Sequence, residues 1–195
     1  MTPYKLTDEK IQFNFKTLYR IELTEDCIWG KAGTKGGFIE KVSNLLDDAW
    51  VSDNAKVCDN AKVCGKSEVY GDAYVSGNAW VYGNAKVYGN DKVSGNAQVY
   101  GDAHVSGNAH VYGDAKVYGN AYVSNDANIE TTSDYMTISS LGSLCRTITI
   151  TFSDKMIVAG CFRGTLEKFK TAVDKKYNGQ GNYYPTINFI TELFK

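Results

Sequence analysis

A repeat of six residues runs without insertion or deletion from Val51 to Ile129, and it constrains the fold of this chain more than any other feature. Each of its fourteen units carries a branched aliphatic residue, and in twelve of them an alanine stands two positions earlier. The exceptions at that earlier position are Ser67 and Asp91. Such strict periodicity is typical of repeat proteins, in which each unit packs only against its neighbours.

One unit has the pattern of a short strand followed by a bend. The order alanine, any residue, valine, any residue alternates apolar and outward positions, as in a strand with one buried side. The Gly-Asn or Gly-Asp pair that follows in most units suits a turn, because these residue types tolerate positive φ. The sequence therefore predicts a solenoid in which parallel strands stack and the alanines and valines close a dry interior.

The pattern resembles the left-handed parallel β-helix of hexapeptide-repeat proteins, in which three units make one triangular coil. This resemblance implies coils of eighteen residues, and Ile39 and Leu45 extend the same spacing upstream. The predicted fold class is mainly β. It comprises a small β cap over residues 1–38, the β-helix over residues 39–130 and an α+β unit over residues 131–195.

The outward residues of such coils group into three faces. One face is strongly aromatic, one is mixed and includes His104, and the most hydrophilic one includes His110. The aromatic face carries Trp80, Tyr82, Tyr100 and Tyr118, with Lys62 and Lys116 beside them. Three interpretations stay open: a ladder of tyrosines, an interface in a homo-oligomer (trimer or dimer), or a surface that binds a flat ligand or partner.

The flanking segments are suited to cover the ends of a solenoid, where unpaired strand edges otherwise promote polymerisation. Alternation within residues 4–30 predicts a small β element. Near the C-terminus, alternation around Ile148 and Ile150 predicts a hairpin that turns at Ser153, and helices are predicted to start at Thr165 and Pro185. The predicted order of this unit is therefore ββαα.

Composition excludes some functions. The net charge is −1, made up of −5 over residues 47–130, +1 over residues 1–46 and +3 over residues 131–195, so no duplex nucleic acid is expected as a partner. The sequence has no apolar run of membrane length and no signal-peptide core, which predicts a cytoplasmic protein without a membrane partner. Five cysteines without metal-ligand spacing favour reduced thiols, and Cys58 and Cys64 are expected to point outward from adjacent faces.

The flanks make the resemblance more specific. The stretches Thr17-Leu-Tyr-Arg-Ile, Gly36-Gly-Phe-Ile-Glu, Asn44-Leu, the Asn-Ala-Lys-Val units and Gly160-Cys-Phe-Arg-Gly-Thr-Leu occur in this order. Over nearly the whole chain this is similar to a family of hexapeptide-repeat proteins common in bacteriophages and prophages, although residues 22–30 depart from it. Members of that family carry transferase labels inferred from the repeat, so the resemblance names relatives and not an activity.

The histidines are the candidate catalytic residues. Hexapeptide-repeat acyltransferases use a histidine as general base in a groove between subunits, usually beside a loop extruded from a coil. His104 and His110 are the only histidines, and no loop interrupts the repeat. The zinc site of the carbonic-anhydrase branch of hexapeptide-repeat proteins needs three histidines, so no metal site is predicted.

The preferred interpretation is a non-catalytic binding protein of a phage or prophage, without a cofactor. It would present its faces to a host macromolecule or small ligand, for example to block a bacterial defence component. The alternative is a trimeric acyltransferase that uses acetyl-CoA or another acyl-CoA, with His104 or His110 as base.

Asp91 breaks the repeat at an inward position, in a column otherwise occupied by alanine. Its carboxylate must find donors, stay protonated or twist outward, because a buried unpaired charge costs several kcal/mol. We expect a tolerated local defect at this position.

Overall fold

The computed structural model describes residues 2–141, 146–178 and 183–195, and within them the chain is mainly β with two C-terminal helices. The repeat forms a β-solenoid of about five coils with a parallel sheet along each of its three faces. Residues eighteen apart pair across neighbouring coils, as do Lys62 with Trp80 and Trp80 with Gln98. The predicted solenoid and its coil length are therefore confirmed.

Each face is one parallel sheet of short strands. The first face consists of β6 (Lys62–Val63), β9 (Trp80–Val81), β12 (Gln98–Val99) and β15 (Lys116–Val117). The second face consists of β4 (Trp50–Val51), β7 (Glu68–Gly71), β10 (Lys86–Gly89), β13 (His104–Gly107) and β16 (Tyr122–Val123). The third face consists of β3 (Lys35–Ile39), β5 (Lys56–Val57), β8 (Tyr74–Val75), β11 (Lys92–Val93), β14 (His110–Val111) and β17 (Asn128–Ile129).

The interior of the solenoid is a column of small and branched side chains. All fourteen branched aliphatics of the repeat are fully buried, and Ile39 and Leu45 continue the column upstream. Ser67, one of the two exceptions, donates its hydroxyl to the carbonyls of Cys64 at 2.8 Å and Val81 at 3.1 Å. The buried hydroxyl is therefore satisfied without disturbing the stack.

Asp91 also points into this column and is fully buried. Its Oδ1 accepts a hydrogen bond from the backbone N–H of Ala109 at 2.8 Å, whereas its Oδ2 is buried without a partner among the described residues. Burial raises the pKa of Asp91 to about 7, against smaller lowering effects of the backbone N–H groups of Ala109 and Tyr88. The carboxyl thus finds a backbone donor and keeps its proton up to near-neutral pH.

Glycines with positive φ turn the chain at most corners. At Gly83 φ is +74°, and a Cβ there would lie 3.0 Å from the backbone N of Gly101 in the next coil. In the first coil the same position holds aspartates with positive φ. Their carboxylates accept hydrogen bonds from the glycine N–H one coil on, in the pairs Asp47 with Gly65 (3.1 Å), Asp53 with Gly71 (3.0 Å) and Asp59 with Gly77 (3.0 Å).

Asparagine side chains beside the corners form rows along the solenoid. Six of them donate their amide to the side chain eighteen residues on, as from Asn60 to Asn78 at 3.2 Å. Three such rows end on an aspartate, at Asp102, Asp114 and Asp126. The changes from Gly-Asn to Gly-Asp at Asp102 and Asp114 fit these ends, since a carboxylate accepts an amide but has no N–H to donate onward.

The N-terminal cap is a hairpin of β1 (Tyr4–Phe13) and β2 (Lys16–Leu23), and β2 pairs antiparallel with β3. Because β3 also pairs in parallel with β5, this strand spans the predicted boundary at residue 38. The first coil presents backbone carbonyls towards the hairpin, and donors of the cap reach them. These hydrogen bonds join Thr2 Oγ1 to Ala49 O (3.1 Å), Trp29 Nε1 to Asp48 O (2.8 Å) and Arg20 Nη1 to Gly36 O (2.7 Å).

The C-terminal unit contains four antiparallel strands, so the predicted order ββαα is incomplete. Its elements are β18 (Tyr135–Leu141), β19 (Arg146–Thr151), β20 (Met156–Ala159), β21 (Phe162–Thr165), α1 (Leu166–Tyr177) and α2 (Tyr183–Leu193). The predicted hairpin is β19 with β20, and both predicted helices are present. The sequence analysis missed β18, which is rich in serine and threonine, and β21, which is short and contains Gly164.

This unit covers the other end of the solenoid, where the last coil presents backbone N–H groups. Hydroxyl oxygens accept them in the pairs Lys116 with Thr132 (3.1 Å), Tyr118 with Tyr135 (3.3 Å), Tyr122 with Thr149 (2.8 Å) and Asn128 with Ser153 (2.9 Å). Among the described helices, none has both the length and the apolar character needed to cross a bilayer.

Candidate functional site

The aromatic row, defined as Trp80, Tyr82, Tyr100 and Tyr118, lies along the first face. The rings of Tyr82 and Tyr100 stack with centroids 4.8 Å apart, and those of Tyr100 and Tyr118 stack at 5.4 Å. Trp80 meets Tyr82 edge-on at 6.3 Å. The tyrosines therefore form a ladder, and no gap between the rings can admit another ring.

The ends of the aromatic row are its most accessible parts. Trp80 is 43% exposed and Tyr118 is 46% exposed. The Nζ of Lys62 lies 4.9 Å from the centroid of Trp80, and within the described chain neither Lys62 nor Lys116 forms an ion pair. A partner would therefore meet two exposed aromatic side chains flanked by two uncompensated positive charges.

A second cluster lies where the C-terminal unit meets the second face. The ring of Tyr122 stacks on the imidazole of His104 at 5.2 Å, and the guanidinium of Arg163 lies 4.4 Å from the Tyr122 centroid. The Tyr122 hydroxyl shares a very short hydrogen bond with Tyr88 and accepts one from Ser106 at 3.4 Å. His104 and Tyr122 follow from the repeat, since they lie eighteen residues apart and pair across neighbouring coils, whereas Arg163 could not be predicted because only the docking of β21 brings it to the Tyr122 ring.

Burial dominates the electrostatics of this cluster. It lowers the pKa of His104, as does the Lys86 ammonium, so the imidazole is neutral at pH 7. Burial and the hydrogen bond to Tyr122 raise the pKa of Tyr88 to about 12. Burial also opposes ionisation of Tyr122, but hydrogen bonds from Ser106 and Tyr88 and the charge of Arg163 outweigh it and lower the pKa.

This geometry limits what His104 can do chemically. A neutral imidazole is the protonation state that a general base requires. However, Nδ1 of His104 is buried without a hydrogen-bond partner in the described part of the chain, so only Nε2 could serve as that base. His110 lies on another sheet, the third face, and the two histidines therefore do not share a site.

The third face is less open than its hydrophilic pattern predicted, because the N-terminal hairpin packs over its first coils. Phe13 meets Tyr74 edge-on at 5.0 Å, and Cys58 is fully buried beside Leu18 and Phe38. Cys58 thus points outward from the column of alanines and valines, as predicted, but the hairpin covers it and keeps it from solvent. Burial raises the pKa of Cys58 and of Cys64, which makes both thiols less reactive at neutral pH. Free thiols occur at Cys27, Cys58, Cys64 and Cys161, whereas Cys145 lies outside the described residues.

One group of potential metal ligands occurs under this hairpin, where Glu40, Cys58 and Asp59 bring ligand atoms within 4.8 Å of one another. The ammonium of Lys16 pairs with Asp59 and lies 3.6 Å from Oε2 of Glu40. The same Glu40 oxygen accepts the backbone N–H of Asp59 at 2.6 Å. The ammonium of Lys16 already pairs with both carboxylates, so the group fastens the hairpin to the solenoid.

Stacked coils of eighteen residues with an alanine and valine interior define this protein as a β-solenoid of the repeat β-helix class. In agreement, a family model described as YdcK beta solenoid repeat matches residues 97–113, which is close to one coil. No curated protein matches the chain. The match is to the repeat and carries no information about the flanking units.

Proposed function

We propose that this protein is a non-catalytic binding protein that docks a host macromolecule on the first face of its solenoid. The resemblance to bacteriophage and prophage proteins supports an accessory role in an infected cell. The role that we assign to this protein is to block a component of a bacterial defence system. The proposal is carried by the exposure of Trp80 and Tyr118 beside two lysines without ion-pair partners among the described residues.

The chemistry of the face favours a protein with an acidic patch as partner. Tryptophan and tyrosine are among the residues that contribute most to protein interfaces, because they bury a large area at little conformational cost. Lys62 and Lys116 add positive charge to a repeat region whose net charge is −5 over residues 47–130. The backbone ladder beneath them is continuous, with N···O distances of 2.9 Å from Lys62 to Ala79 and from Trp80 to Ala97, so the face is ordered before it binds.

A quantitative pull-down from bacterial host lysate tests the proposal. The bait variants are the double substitution Trp80→Ala with Tyr118→Ala and, as control, Tyr112→Ala on the third face. We expect the double variant to bind the partner at least about 2 kcal/mol more weakly, which is roughly thirtyfold in affinity, and the control to bind it as tightly as the wild type does. Equal recovery by the wild-type chain and both variants would contradict docking on this face.

Self-association is the competing use of the same surface. If the aromatic row is the interface of a trimer or dimer, Tyr100→Asp gives monomers in analytical ultracentrifugation while the wild-type chain sediments as an oligomer. An unchanged mass of the variant rejects that interface and leaves the face to a foreign partner.

An acyl-CoA-dependent acyltransferase acting as a trimer is the second candidate function. It is favoured by the neutral imidazole of His104, which stacks on a tyrosine of lowered pKa. The uninterrupted coils over residues 51–129 argue against it, since no loop extruded from a coil builds a groove beside His104 or His110. Isothermal titration with acetyl-CoA separates the two proposals, because the enzyme requires a heat of binding that His104→Gln or His110→Gln reduces.

A further inference from the structure

A cleft in the C-terminal unit lies between α1 and the sheet, apart from the faces of the solenoid. Its volume is about 140 Å³. Phe169 and Tyr183 are buried in its wall and meet edge-on at 6.2 Å, and Tyr177 stacks on Tyr183 at 5.3 Å. The cleft is lined mainly by apolar and aromatic groups, and the side chains of Cys161 and Lys176 at its rim are exposed.

The size of the cleft sets the size of an occupant. An apolar cavity of roughly 150 Å³ accepts a benzene molecule in a protein interior. The cleft therefore has room for one six-membered ring. The rings of Phe162, Phe169 and Tyr183 line the cleft, so a bound ring would meet aromatic side chains.

Two positively charged side chains favour an occupant that carries a negative charge. Arg146 and Lys176 both line the cleft, and neither forms an ion pair within the described chain. Residues 142–145 and 179–182, which adjoin the cleft in sequence, include no acidic residue that could neutralise them. A guanidinium next to an apolar wall favours an anionic group, which it binds through charge-assisted hydrogen bonds.

We propose that this cleft binds a small aromatic anion, whose ring packs against Phe169 and Tyr183 and whose acidic group meets Arg146 and Lys176. The site is independent of the docking face proposed above. Failure of either proposal leaves the other standing, because the two use different units of the chain.

Benzoate is the probe for the test, with benzyl alcohol as its neutral analogue. In ¹⁵N–¹H correlation spectra of the full-length protein, we expect saturable benzoate shifts at the amides of Ala159, Phe169 and Val173, with a Kd on the order of 1 mM for so small a ligand. Benzyl alcohol should bind about tenfold more weakly, since it lacks the charge. Absence of saturable shifts at these amides overturns the proposal.

Matched variants test the role of the charges. Lys176→Gln and Arg146→Gln are each expected to weaken benzoate about tenfold and to leave benzyl alcohol unchanged. Lys175→Gln removes the same charge from the neighbouring position of α1, outside the cleft, and should change neither ligand. Arg146 is the first residue of β19, so its substitution could disturb the strand. The Arg146→Gln result therefore counts only if the spectrum of the unliganded variant overlays that of the wild type. If it does not, the test depends on Lys176→Gln. Equal affinity of the wild type and Lys176→Gln for benzoate would contradict the proposed anion site.

Discussion

Two residues break the alanine column, and their different surroundings show what the interior tolerates. Ser67 is fully buried, and its hydroxyl donates to two carbonyls. Asp91 is equally buried, but only one of its two oxygens has a hydrogen-bond partner among the described residues. A short hydroxyl fits the polar backbone between coils, whereas a carboxylate brings a charge that the dry column cannot solvate.

Asp91→Ala should raise the melting temperature, and the gain should depend on pH. The pKa of Asp91 is about 7 in the folded chain against an ordinary 3.8. The folded state therefore holds a proton that the unfolded chain has lost, so the free energy of unfolding falls as the pH rises from about 4 to about 7. We expect Asp91→Ala to gain about 4 kcal/mol in the free energy of unfolding at pH 8 and little at pH 4, measured by thermal unfolding.

The exposed corner residue Asp72 supplies the control, since Asp72→Ala removes a carboxylate that stays in water. Its effect should be small and independent of pH between these values. A lower melting temperature of Asp91→Ala at both pH values would mean that the carboxylate stabilises the coil. A stable variant that loses its partner would assign Asp91 a functional role.

At the scale of the elements, the corner rather than the strand limits which side chains the repeat accepts. The strands of the first face are only two residues long, and neighbouring corners lie one on top of another. A Cβ at an inner corner would meet the backbone of the next coil, and positive φ adds strain for any residue except glycine. The first coil accepts aspartates at this position because their carboxylates accept hydrogen bonds from the glycine N–H groups of the next coil.

Alanine substitutions at two corners of the same column separate strain from collision. Gly119 has φ +66°, and a Cβ added there would meet no described atom within 4 Å, so Gly119→Ala carries only the strain of positive φ, about 1 kcal/mol. Gly83→Ala adds overlap with the backbone of Gly101 and should cost about 3 kcal/mol or more in the free energy of unfolding. Chemical denaturation measures both, and equal losses would show that stacking between coils tolerates the methyl group.

At the scale of the whole molecule, the solenoid has a polarity that its two caps match. The first coil exposes carbonyl oxygens, and the N-terminal cap supplies hydroxyl, indole and guanidinium donors. The last coil exposes N–H groups, and the C-terminal unit supplies hydroxyl acceptors from Thr132, Tyr135, Thr149 and Ser153. Each cap satisfies the polar groups of its own end, so both edges are protected from pairing with further strands.

A chain that ends at residue 130 should therefore associate through its open end. We expect light scattering to detect larger, concentration-dependent species, because the last strands present unpaired N–H groups. Thr149→Val in the full chain is the control. It removes one acceptor, should cost about 1–3 kcal/mol of stability, and should leave the mass at the wild-type value. A truncated chain with the same association state as the full chain would show that capping is not what limits polymerisation.

The candidate sites were predictable to different extents. The aromatic row follows from steps of eighteen residues, since each strand has the same register as the one below it. The contact of Arg163 with Tyr122 and the cleft around Phe169 could not be foreseen, because they depend on how the C-terminal unit docks and folds. The burial of Cys58 was not foreseen for the same reason, since the repeat carries no signal of the hairpin that covers it.

The six-residue period alone determined the coil, its interior and the grouping of outward residues, because in a stack of identical units local preferences repeat until they fix the geometry. Tertiary structure alone decided which of those outward residues stay in water, how each end is capped, and how close to neutrality Asp91 titrates. Those properties depend on contacts between units that share no period, and their distances and burial arise only when the caps are in place.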